Sequence, residues 1–137
     1  MLSWIAKLKV FWRHDLSGLS KDQFARWAER RACRYLKHEG MKVLARNYRT
    51  VGGEIDIVAT DDGQLVFVEV KAERTLEGCP ELKVTAGKRR RLVGTAKAYI
   101  RRYNLDDRPA RFDIVVIRAD SSGQVEIDHA RDAFEAT

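Results

Sequence analysis

Two runs of alternating apolar and polar residues flank the dipeptide Asp62-Gly63, and this arrangement commits the middle of the chain to a β-hairpin. Before the dipeptide, Ile55, Ile57 and Ala59 alternate with Glu54, Asp56 and Val58; after it, Val66, Val68 and Val70 alternate with Phe67, Glu69 and Lys71. Asp-Gly suits a two-residue type I′ turn, in which both central residues take positive φ. A two-residue loop pairs Asp61 with Gln64, which brings Asp56 opposite Glu69 and Glu54 opposite Lys71. Partners across an antiparallel ladder share a face, with Cβ atoms about 4.5 to 5.5 Å apart. Two carboxylates are therefore expected side by side, and a hard divalent cation held by carboxylate, backbone carbonyl and water offsets their repulsion. Lys71, two residues past Glu69, projects to the same face. The opposite face of both strands is aliphatic and is expected to be core. A plainer alternative is an exposed polar face with a single ion pair, Glu54 with Lys71.

With 137 residues the chain is of single-domain size, and no apolar run approaches the length that crosses a bilayer. Its 26 Lys and Arg against 20 Asp and Glu give a net charge of +6, which favours a polyanionic partner. Nucleic acid comes first, an anionic membrane surface second. Cys33 and Cys79 form neither a disulfide framework nor a zinc-ligand spacing, and Lys7 and Lys9 interrupt the apolar stretch at the N-terminus. A cytoplasmic protein without a secretion signal is the simplest expectation. A homodimer is compatible with the sequence.

Trp4, Ile5, Leu8, Phe11 and Trp12 fall on one side of a helical wheel, which predicts an amphipathic helix over 2–13 within an N-terminal extension, 1–19. Such a helix is either a lid on the domain or a docking element for a protein partner, a membrane surface or unpaired bases. The main domain, 20–137, opens with a capping box at Ser20 and Gln23, predicting a helix from Lys21 to Glu39 that stops at Gly40. Glu29 lies at the margin of that helix's apolar stripe, aimed either at the core's edge or, as a solvated flank residue, at Arg26. A strand over 41–50 leads into the hairpin, and an irregular stretch over 73–84 follows it. Thr85 is a plausible N-cap for a second helix reaching Tyr103, whose exposed side is almost purely basic. Lys83, Lys88, Arg89, Arg90, Arg91 and Lys97 are candidate phosphate contacts; the alternative is a solvated helix face. A buried strand over 111–118 would join the sheet in parallel through a crossover, with a last strand over 125–128 and a short closing segment over 130–134. The order predicts an α/β domain, a mixed sheet flanked by helices. His14, His38 and His129 each lack a ligand-spaced companion and are given no chemistry.

Gly53-Glu54-Ile55-Asp56 followed by Val66-Phe67-Val68-Glu69-Val70-Lys71, with Ala28-Glu29 upstream and Lys88 and Phe112-Asp113 downstream, resembles the YraN-like family of small bacterial proteins. That family is grouped with the PD-(D/E)xK nucleases and is similar to archaeal Holliday-junction resolvases. The resemblance spans about 24–134 and implies a restriction-endonuclease-like core. It makes Asp56 the motif's aspartate, Glu69 and Lys71 its ExK, and Glu29 the helical carboxylate that completes the metal site. Two departures stand out: Ala28 replaces the usual Gly, and Arg74 stands one residue later than the family's Arg, so it should face the other side of its strand and is left out of the site.

The resemblance implies a metal-dependent nuclease acting on DNA phosphodiesters, with branched DNA as a candidate substrate. Asp56, Glu69, the Val70 carbonyl and Glu29 would hold Mg²⁺ or Mn²⁺, and Lys71 would act on the attacking water or on the phosphate charge. Two other classes compete: a catalytically inactive nucleic-acid-binding protein of the same fold, and a protein-interaction module working through 2–13.

Overall fold

A computed structural model describes the backbone of residues 4–10 and the whole of residues 15–136. The elements run β1 (Trp4–Val10), α1 (Lys21–His38), β2 (Lys42–Thr50), β3 (Gly53–Asp61), β4 (Gln64–Glu73), α2 (Ala86–Arg102), β5 (Ala110–Ala119) and β6 (Val125–Phe134). They build one mixed sheet in the order β1-β6-β5-β4-β3-β2, in which only β4 and β5 are parallel. The α/β, restriction-endonuclease-like core expected from the sequence is thus observed, with α2 as the crossover between the parallel strands.

Each helix covers one sheet face. Phe24, Trp27, Ala28, Ala32, Tyr35 and Leu36 of α1 pack on Ile57, Ala59, Val66, Val68, Val115 and Ile117. On the other side Leu92, Val93, Ala96 and Tyr99 of α2 pack on Ile55, Val58, Leu65, Phe67 and Phe112. The hairpin therefore has two core faces rather than one, and Glu54, Asp56 and Glu69 stand at the end away from the turn. The turn forms as expected, with Asp62 and Gly63 at φ 51° and 86° and Asp61 paired with Gln64. Ser20 caps α1 with both halves of the capping box made.

Two expectations fail. Residues 4–10 form a strand, not a helix, and pair with β6 from Trp4 opposite Arg131 to Val10 opposite Val125. The segment WIAKLKV satisfies a period of two nearly as well as a period of 3.6, and β6 offers an otherwise open edge whose backbone groups the strand satisfies. The remainder of the expected helix, with His14, lies outside the described residues. The last strand also does not stop at Asp128. It continues to Phe134 through a bulge, with register shifting from Ile114–Ala130 to Phe112–Phe134 and Asp132 at φ 52°. Asp113 holds that bulge by accepting the backbone N–H of Asp132 at 3.0 Å.

Candidate functional site

The β3–β4 ladder runs from Asp61–Gln64 only as far as Ile57–Val68. Beyond it the strands part, and the Asp56 side chain takes over a ladder position: its Oδ2 accepts the Val70 N–H at 2.8 Å. Asp56 and Glu69 line one pocket of about 210 Å³ together with Gly53, Glu54, Lys88, Arg91 and Leu92. Burial and the neighbouring Glu69 push Asp56 up to about 7, against the single restoring hydrogen bond from Val70.

Glu29 reaches this cluster from α1 through Asn47. Oriented to satisfy its neighbours, the Asn47 amide nitrogen donates to Glu29 Oε2 at 3.2 Å and to Glu54 Oε1 at 3.1 Å. Glu29 is half-buried, and desolvation followed by repulsion from Glu54 raises its pKa. Asn47 sits at φ 51°, a conformation that Asn tolerates better than most residues and that turns its side chain out of the β2 alternation. A local backbone conformation of this kind leaves little trace in a linear pattern, and sequence reasoning missed the bridge.

Both lysines near the cluster have partners within the protein. Lys88 Nζ contacts Glu69 Oε1. Lys71 Nζ donates to the Lys83 carbonyl in the segment ahead of α2. The Glu54–Lys71 ion pair of the plainer alternative does not form, because the strands part at that point; Glu54 instead pairs with Arg49 at 3.2 Å. Arg74 faces the α1 side, as expected, with its guanidinium on the Leu19 and Ser20 carbonyls and 4.5 Å from the Phe24 ring centroid.

The candidate phosphate contacts do not form one surface. Lys88 and Arg91 line the carboxylate pocket, while Lys83 and Arg90 are exposed and do not line it. Arg89 lies over the Phe134 ring at 5.6 Å, and Lys97 borders an apolar groove lined by Phe67, Phe112 and Phe134. The segment joining β4 to α2 is tied to the sheet by buried Arg118, which donates to the Glu77 and Gly78 carbonyls at 2.7 and 3.0 Å and pairs with Glu73 at 3.3 Å.

His129, given no chemistry above, joins a buried network. Its ring stands 2.9 Å from the Tyr35 hydroxyl and 2.7 Å from Asp113 Oδ2, and Arg111 binds Asp113 at 3.0 Å. Burial pushes the Asp113 carboxyl up, but hydrogen bonds from His129 and Arg111 outweigh it and hold the group below its usual range. The network ties α1, β5 and β6 together.

Among the described residues no group of three or more His, Cys, Asp and Glu side chains is arranged to hold a metal ion. A Mg²⁺-like ion does not need three, since it keeps several waters and is held by one or two carboxylates plus substrate phosphate. Asp56, Glu69 and the Val70 carbonyl are an all-oxygen set of that kind, crowded with negative charge.

Residues 28–117, from Ala28 beside the helical Glu29 to Ile117 within β5, match the Uncharacterised protein family UPF0102. The chain belongs to the UPF0102 (YraN) family, part of the PD-(D/E)xK nuclease-like superfamily. It is 40% identical over 117 residues to a UPF0102 protein of Desulfosudis oleivorans, covering 85% of this chain and 93% of the relative. A UPF0102 protein of Lachnoclostridium phytofermentans is 46% identical over 110 residues, 79% of this chain and 89% of the relative. No helix among the described residues is long and apolar enough to cross a membrane.

Proposed function

We propose that this UPF0102 protein is a divalent-metal-dependent nuclease that acts on DNA phosphodiesters and recognises the shape of its substrate, with branched DNA the first to test. The observation that carries the reading is the pairing of Asp56 and Glu69 in one pocket beside Lys88 and Arg91. Asp56, Glu69 and the Val70 carbonyl are the proposed ligands of Mg²⁺ or Mn²⁺, and Glu29, bridged by Asn47 to Glu54 at the pocket, is the proposed fourth ligand. A cation bound there supplies Lewis acidity toward a phosphodiester oxygen and toward the charge on the leaving group. Asp56 is positioned for this by the Val70 N–H, which fixes one carboxylate oxygen and leaves the group oriented along the strand end. Lys71, once off the Lys83 carbonyl, brings its ammonium to the water or to the phosphate charge. Lys83, Arg90 and Arg91 hold the backbone, and a protein working on intracellular DNA would be cytoplasmic.

Purified protein with Mn²⁺ is expected to cleave at least one of duplex, single-stranded and branched DNA. Asp56→Asn, Glu69→Gln and Lys71→Ala should each lower the rate by about a hundredfold or more, while metal-free binding of the same DNA stays near wild type. One observation favours a second reading, binding without cleavage: both Lys71 and Glu69 already have partners within the protein. Salt-sensitive binding with no cleavage of any of these substrates, or of RNA, would select it.

A further inference from the structure

The Lys88–Glu69 pair is asymmetric. The Glu69 side chain is 8% exposed and the Lys88 side chain 43%. A buried carboxylate needs a positive partner, whereas a lysine on a half-exposed stem can return its ammonium to water with little loss. Lys88 is also anchored at the backbone: its N–H donates to the Thr85 N-cap hydroxyl at 3.2 Å. Below it the helix rests directly on the strand, because Gly53 has no Cβ and one added there would stand 3.0 Å from Thr95 Oγ1 and 3.4 Å from Arg91 Cβ. Only the side chain is therefore able to leave Glu69; α2 stays where it is.

We propose that Lys88 is a displaceable counter-ion, neutralising Glu69 while no divalent cation is bound and turning to nucleic-acid phosphate when one is. The inference rests on the cation reading given above and adds an order of events to it. An ammonium and a dication on the same carboxylate oxygens repel, so occupancy of Glu69 by one opposes the other. A phosphate that draws Lys88 away frees Glu69, and a cation on Glu69 frees Lys88 for phosphate. Cation and nucleic acid thus strengthen each other's binding, and linkage makes the effect equal in both directions. The same pair guards the empty pocket, since without Lys88 the buried Glu69 charge would stand beside Asp56 uncompensated. A pocket of about 210 Å³ has room for a cation with several waters once the ammonium is out, taking about 30 Å³ for each water.

The test is Mn²⁺ affinity, read from the electron paramagnetic resonance of free Mn²⁺ with no nucleic acid present, alongside thermal melts. Lys88→Met should bind Mn²⁺ about five- to tenfold more tightly than wild type, the scale expected when a competing ion pair is removed. It should also melt lower without Mn²⁺ and gain more from Mn²⁺ than wild type does. Lys88→Arg keeps the charge and should bind no more tightly than wild type; Glu69→Gln should lose the site. Saturating branched DNA should tighten Mn²⁺ binding in Lys71→Ala, used to prevent cleavage, and do so far less in Lys71→Ala/Lys88→Met. If wild type binds Mn²⁺ through Glu69 but Lys88→Met binds it equally or more weakly, or Lys88→Arg tightens as much, the counter-ion role is overturned and the cation site stands. Should neither wild type nor Lys88→Met bind Mn²⁺, or should Glu69→Gln bind as wild type does, the cation site itself falls and this role with it.

Discussion

Asp56 Oδ2 accepts the Val70 N–H at 2.8 Å, one residue past the point where β3 and β4 cease to pair backbone to backbone. The carboxylate thus serves as the last rung of the ladder while standing among Glu69, Glu29 and Glu54, all of which oppose its ionisation, as burial does. Its pKa near 7 compares with 3.8 for the free side chain. Between these values the folded protein keeps a proton that the unfolded chain has released, so the folded state binds more protons and its stability falls as pH rises. Stability from this source is complete below about pH 4 and lost above about pH 7. Urea midpoints of cation-free protein should drop across that window, and Asp56→Asn should flatten the drop. Glu29, raised in the same direction, leaves a residual slope. If Asp56→Asn keeps the full wild-type slope, the crowding of this pocket has been misjudged.

The α2 charges should separate by role. Arg90 and Arg91 are exposed on α2 and Lys83 in the segment ahead of it, so replacing each with alanine should weaken DNA binding and reduce the slope of log affinity against log salt by about one for each phosphate no longer neutralised. Arg89 lies on Phe134, and Arg89→Ala should instead leave the slope nearly unchanged and lower stability by about 0.5 to 1 kcal/mol. Fluorescence anisotropy over a salt series, beside urea melts, distinguishes the two effects. An Arg89→Ala variant that loses a full unit of slope would return that residue to the binding surface.

Gly53 sets the distance between the hairpin and α2. An alanine Cβ would meet the Thr95 hydroxyl at 3.0 Å, closer than side-chain contacts normally come, with Arg91 Cβ already in contact at 3.4 Å, so α2 or the strand must give way. Gly53→Ala should cost about 1 to 3 kcal/mol, the usual range for overpacking. Because Lys88 and Arg91 ride on the displaced helix, it should also weaken Mn²⁺ binding and any cleavage more than a core substitution of equal stability cost on the α1 side, such as Ala32→Gly. Equal losses from the two would show that α2 placement is not tied to the pocket.

The hairpin and its turn were legible because period-two alternation and Asp-Gly turn chemistry are local and mutually consistent, whereas the backbone pairing stops at Ile57–Val68 and Asp56 and Glu69 meet as neighbours in one pocket rather than as ladder partners. The capping box at Ser20 was legible for the same reason. The N-terminal strand was not: seven residues that alternate as well as they spiral are decided by the open edge of β6, over a hundred positions away in sequence. The Asn47 bridge needed a positive φ, and the partners of Lys71 and Lys88 needed the course of the 74–85 segment, which no periodicity encodes. Tyr35, Asp113 and His129 meet from three different elements, and a lone histidine on a strand gives no sign of that. Local order predicted where the carboxylates stand, and long-range packing determined which cations answer them.

The Tyr35–His129–Asp113–Arg111 network should prove structural. Asp113 is fully buried, accepts from His129 at 2.7 Å and from Arg111 at 3.0 Å, and holds the backbone N–H of Asp132 in the β6 bulge. Asp113→Ala would leave the Arg111 charge and that N–H without this carboxylate, a change that costs about 3 to 5 kcal/mol when a buried pair is broken from one side. The loss should be measurable in urea or guanidinium unfolding, with the bulge segment around Asp132 exchanging its amide hydrogens faster than in wild type. At temperatures where the variant is still folded, Mn²⁺ affinity should remain within about twofold of wild type, because Asp113 bonds His129, Arg111 and the Asp132 N–H and shares none of these partners with Asp56 or Glu69. Arg111 also donates to Asp61 Oδ2 and Gln64 Oε1 at 3.0 Å, which carries that side of the network to the turn end of the hairpin, while Asp113 itself stands opposite Val68, the chain neighbour of Glu69. A folded Asp113→Ala protein that loses Mn²⁺ binding would show that the network reaches the carboxylate pocket after all, and would make His129 a positioning residue for it.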